Sequence, residues 1–82
     1  MKVYQCCTLT KASPTGNIPD DNMYSTLEKA EERAKELIEA RLFYWKKARY
    51  LGLCDANEMA QLVYANPDEY VMCVFVQEFE IL

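Results

Sequence analysis

The chain has 82 residues, 51% of them hydrophobic and 27% charged, with a formal net charge of -4. That is the composition of one globular domain spanning residues 1–82 and not of a disordered chain. The acidic balance argues against nucleic acid and anionic membrane as partners, since both are bound through Lys and Arg, and the longest apolar run is far short of the roughly 20 residues that cross a bilayer.

Met1 to Gln5 contains no apolar signal core, so the chain is expected to stay in the cytoplasm. Residues 2–10 read as a first strand: Val3, Tyr4, Thr8 and Thr10 favour extended backbone. Alternation puts Val3, Cys7 and Leu9 on one face and Tyr4 and Cys6 on the other. Residues 11–22 carry Ser13-Pro14-Thr15-Gly16-Asn17 and Pro19-Asp20-Asp21, so they read as a loop with room for a short extra strand near Ile18 that Pro19 would cut.

A long helix is expected from Ser25, where Ser25 and Glu28 have capping-box spacing, to about Tyr50, with Gly52 as its C-terminal stop. Leu27, Ala30, Ala34, Leu37, Ile38, Tyr44, Trp45, Ala48 and Leu51 form its buried stripe. Glutamates fill its first half and Arg41, Lys46, Lys47 and Arg49 its second, a gradient that complements the helix dipole. A shorter helix follows, capped by Asp55 with Glu58 and buried through Met59, Leu62 and Val63; Asn66-Pro67 ends it. Tyr70 to Val76 is a continuous apolar run leading into the alternating stretch Gln77 to Ile81, which reads as a last strand.

The predicted fold is therefore α+β in the order β-α-α-β. A small antiparallel sheet of two, possibly three, strands packs on one long and one short helix, with the last strand antiparallel to the first and at an open edge. Two tightly joined helices are expected on one side of such a ribbon. One apolar face of the last strand would then need another chain, so Tyr70, Met72, Val74 and Val76 are the expected self-association residues of a homodimer.

Little in the chain points to catalysis. It has no His, the commonest general base, and its glycines form no phosphate-binding loop. Cys6, Cys7, Cys54 and Cys73 match no zinc spacing and are expected to be buried thiols; neither a metal nor a cofactor is expected. The helical reading puts Phe43, Lys46, Lys47 and Tyr50 on the back of the long helix as an aromatic–basic patch. With the acidic pair Asp20 and Asp21, these are the expected partner-binding residues.

The function expected is that of a small non-enzymatic protein that binds another protein. A concrete form is a phage or mobile-element accessory protein that inhibits a host complex, as an anti-CRISPR protein does. Two alternatives use other residues: a nucleic-acid-binding accessory protein working through the basic–aromatic patch, and a thiol-based regulator or enzyme working through its cysteines.

Overall fold

The computed structural model describes residues 1–10, 13–42, 48–66, 68–69 and 71–82, without the side chains of residues 13–17 and 41. The elements are β1 (Lys2–Thr10), β2 (Ser13–Tyr24), α1 (Leu27–Leu42), β3 (Ala48–Leu53), α2 (Ala56–Ala65) and β4 (Met72–Glu80). The fold is α+β: two helices and a mixed sheet in the order β2-β1-β4-β3. β1 runs antiparallel to both β2 and β4, so the first and last strands do pair antiparallel; β3 runs parallel to β4.

Two expected elements are replaced. Residues 11–22 are not a loop throughout, because Ser13–Tyr24 forms the edge strand β2. Proline removes a ladder donor and is tolerated only at edges and bulges, and Pro14 and Pro19 both lie on this edge. Its pairing to β1 slips between Gln5 and Cys7 and again between Thr8 and Thr10, which absorbs a sequence without alternation.

The long helix stops at Leu42 instead of reaching Tyr50, and Ala48–Leu53 is strand β3. Its helical spacing yields to the apolar edge of β4, with which Ala48, Arg49 and Tyr50 pair in register. Gly52 takes φ 87°, the left-handed conformation expected of a helix stop, but uses it where the register with β4 breaks between Tyr50 and Leu53.

The caps follow local chemistry. The first turn of α1 is closed by Thr26, whose Oγ1 accepts from the Lys29 N–H at 3.3 Å, instead of by Ser25. Asp55 caps α2 as expected, its Oδ1 accepting from the Asn57 N–H at 2.8 Å.

β4 is central, not an edge, and the helices lie on opposite faces of the sheet. On one side Ala30 and Ala34 of α1 are fully buried against Cys6, Met72, Val74 and Val76, with Leu27, Leu37 and Ile38 at the margin. Alanines let the helix approach the sheet closely, and the branched side chains of β4 fill the gap. On the other side Met59 and Val63 of α2 pack on Cys7, Leu9, Cys73 and Phe75. The adjacent thiols of Cys6 and Cys7 therefore belong to different cores. Tyr44 and Trp45 of the expected stripe lie outside the described residues, and Leu51 packs on the α2 side instead. Among the described residues, no helix is long and apolar enough to cross a membrane.

Tyr50 packs against the α1-side core, and its buried hydroxyl has no hydrogen-bond partner among the described residues. Burial, and then the negative charge of Glu31, pushes its phenol up to about 12. A buried hydroxyl without a partner forfeits its hydration. Tyr50→Phe is thus expected to hold or raise stability by about 1 kcal/mol, read as a melting temperature roughly 4–8 °C higher. A melting temperature lowered by that much would show that the hydroxyl makes a bond the fold needs.

Candidate protein interface

The acidic pair and the groups around it form the best-defined surface feature. Asp20 and Asp21 lie where β2 slips against β1. Asp20 does not face solvent freely: its carboxylate accepts from Arg33 of α1 through Nε at 3.1 Å and Nη2 at 3.3 Å, a two-pronged contact. Its side chain is only 10% exposed. The Gln5 side-chain amide donates to the Asp20 carbonyl at 3.0 Å. Arg33 also donates to Glu36 at 3.1 Å, and the two acids hold its guanidinium above the ordinary arginine range.

Asp20 therefore ties the irregular edge strand to both β1 and α1, and Asp21 and Asn22 beside it are exposed. Nothing in the sequence signals this clamp, because its partners are 13 residues apart in different elements and Arg33 reads as an ordinary solvated helix residue. Next to the clamp lies a shallow groove of about 100 Å³ lined by Thr8, Ile18, Pro19, Asp20 and Leu37. Ile18 is 60% exposed at its rim. A larger open groove of about 400 Å³ runs along Leu27, Glu28, Glu31, Glu32 and Lys35 of α1, so this flank of the molecule is predominantly acidic.

The expected aromatic–basic patch does not form as a helix face. Tyr50 is on β3 with its ring against the α1-side core, whereas Phe43, Lys46 and Lys47 lie outside the described residues. The expected self-association face is covered within the chain: Met72 is 1% exposed and Val74 and Val76 are 0% exposed beneath α1. The physical reason is the topology, because helices on opposite faces cover both sides of Met72 to Val76. Tyr70 lies outside the described residues.

The thiols are poorly suited to nucleophilic work. Cys6, Cys7 and Cys73 are buried and Cys54 is half-buried. Burial pushes Cys6 up to about 11, with Asp20 adding to the effect, and pushes Cys73 up to about 11. Cys54 is raised by burial and by Glu58. The thiolate is the nucleophile, so these environments suppress the reactive form. Among the described residues, no group of three His, Cys, Asp or Glu side chains is placed to hold a metal ion.

No protein-family model, curated protein or solved structure matches the chain.

Proposed function

We propose that this chain is a non-enzymatic protein that acts by binding another protein, and that the target seats along the outer edge of β2 and the adjoining flank of α1. The observation that carries this reading is the clamped edge. Among the described residues β2 has a sheet neighbour on one side only; it exposes Ile18 and Asp21 and is tied to β1 and α1 through Asp20. An unpaired strand edge is a template for an incoming strand, and a preorganised one loses little entropy on binding. The two slips in its pairing limit indiscriminate pairing, which suits a specific partner better than open-ended assembly.

The acidic flank favours a target surface rich in Lys and Arg. Surfaces that hold nucleic acid have that character. One concrete form of the function is therefore a phage or mobile-element inhibitor seated on the nucleic-acid-binding face of a host nuclease complex, as an anti-CRISPR protein would be.

The test is binding and inhibition against a panel of purified defence nuclease complexes, comparing the parent with Ile18→Arg and Asp21→Lys. Both side chains are exposed, so the variants should fold normally. Each is expected to weaken binding to a responsive complex at least tenfold. Failure of every complex in the panel to bind the parent would overturn the inhibitor form. Binding unaffected by either variant would move the target off this edge.

A further inference from the structure

β2 is joined to the sheet differently from the strands inside it. Among its described side chains none is buried: Asp20 and Tyr24 are half-buried, and Ile18, Pro19, Asp21, Asn22 and Met23 are exposed. β1 and β4, by contrast, bury Val3, Cys6, Cys7 and Leu9 and the whole run from Met72 to Val76. Few buried apolar contacts mark a segment that can open without global unfolding. The backbone ladder is also interrupted here. Between the pairs Gln5↔Met23 and Cys7↔Pro19, β2 sets Asp20, Asp21 and Asn22 opposite Cys6 alone. An ordinary bulge sets two residues against one. The longer excursion takes backbone groups out of the ladder, so side chains have to hold it.

Two side chains do so, from opposite faces of the sheet. Alternation along β1 puts Gln5 on the face of Cys7 and Leu9, which α2 covers. From there its amide donates to the Asp20 carbonyl at 3.0 Å. Arg33 reaches from α1 on the other face and donates to the Asp20 carboxylate through Nε at 3.1 Å and Nη2 at 3.3 Å. Asp20 is therefore fixed at its backbone by one element and at its side chain by another. Its side chain is 10% exposed, against 67% for Glu36, the other acid on the same guanidinium. Asp20 has given up hydration for its contact and Glu36 has not. The first contact holds position, and the second is a solvated surface pair.

We propose that Gln5 and Arg33 are positioning residues: they hold residues 18–23 of β2 in one conformation, so that the edge is formed before a target arrives. The proposal rests on the reading of that edge as the target site. Its physical content is a local equilibrium. Loss of either bond raises the fraction of molecules in which this segment has left β1 while β1 and β4 stay paired. With both bonds lost the open form dominates. Affinity then falls by the fraction still closed, even where neither residue touches the target.

The test is amide hydrogen exchange read by mass spectrometry over residues 18–23 and 72–80, for the parent, Gln5→Met, Arg33→Gln, Arg33→Lys, Glu36→Gln and the Gln5→Met/Arg33→Gln pair. Gln5→Met keeps the side-chain length and loses the amide donor. Arg33→Lys keeps the charge and loses the two-pronged geometry. Gln5→Met and Arg33→Gln are each expected to raise exchange over residues 18–23 at least tenfold and to leave residues 72–80 as in the parent. Arg33→Lys should fall between, and Glu36→Gln should match the parent. Unchanged exchange over residues 18–23 would overturn the proposal. So would a rise shared equally by residues 72–80, since that is a loss of overall stability with no local hold. Against any nuclease complex that binds the parent, the paired variant should bind at least tenfold more weakly; raised exchange with unchanged binding would overturn the positioning role. Failure of every complex to bind the parent would count against the target reading alone, and the exchange result would still decide whether the two residues hold the edge.

Discussion

Phe75→Ala is expected to destabilise the fold by about 3–5 kcal/mol, as truncation of a fully buried aromatic does. Phe75 is 0% exposed in the middle of β4, paired with Cys7 and covered by Met59 and Val63 of α2. α2 reaches the sheet through few buried side chains, so removing the ring leaves a void that so short a helix fills poorly. A domain of this size has a total stability of only about 5–15 kcal/mol. The expected readout is a melting temperature lowered by roughly 15 °C or more at about 4–8 °C per kcal/mol. Tyr64→Ala is the control: Tyr64 lies on the same helix but is 74% exposed, and its loss should shift the transition little. Equal effects of the two substitutions would mean that α2 does not pack through the face assigned to it.

The second large effect is alkaline unfolding. Burial pushes the Cys6 and Cys73 thiols from 9.0 up to about 11 and the Tyr50 phenol from 10.0 up to about 12. An unfolded chain releases these protons from about pH 9, where the folded chain still holds them. The folded state then binds more protons than the unfolded state, so stability falls as pH rises. The stabilisation is fully present below pH 9 and is lost progressively up to about pH 12.

Each group contributes about 1.4 kcal/mol per pH unit within its own window. Three groups together rival the whole stability of a small domain. Urea midpoints measured at pH 7, 9 and 11 are expected to be similar at the first two and much lower at the third. Cys73→Ala, with one thiol fewer, should show a shallower fall between pH 9 and 11. A midpoint that holds to pH 12 would mean that these groups ionise freely in the folded chain.

Residues whose burial is periodic were legible in the sequence. Leu27, Ala30, Ala34, Leu37 and Ile38 recur at helical spacing and do face one core. Cys6 and Cys7 alternate as a strand requires and do fall into opposite cores. β4 was legible as a strand because Met72 to Val76 need cover on both faces, and both are covered.

The two outer strands were not legible, because what makes them strands lies elsewhere in the chain. Ser13–Tyr24 has neither alternation nor strand-favouring composition; it is extended because β1 offers it a backbone ladder and because an edge tolerates proline. Ala48–Leu53 fits a helix as readily as a strand, and the apolar edge of β4 decides between them. Missing these strands misplaced β4 at an edge, and the expected dimer face followed from placing both helices on one side of the sheet, whereas they lie on opposite faces. Asp20 and Asp21 were read as an exposed acidic pair for a partner. The clamp from Asp20 to Arg33 depends on how β2 crosses α1, which no local pattern encodes.

The central position of β4 also sets when this chain can fold during synthesis. β1 is made well before β4, yet the two pair along their length, with Lys2 lying opposite Glu80. Among the described residues β3 has no other neighbour in the sheet, and it waits for the same strand. Until residues 72–80 have left the ribosome, the nascent chain can form the β1–β2 hairpin and rest the helices on Cys6, Cys7 and Leu9, but it lacks the strand that completes both cores. Completion of both cores therefore waits for a pairing between distant segments, and polypeptides stalled short of that strand are expected to stay exposed to proteases and chaperones.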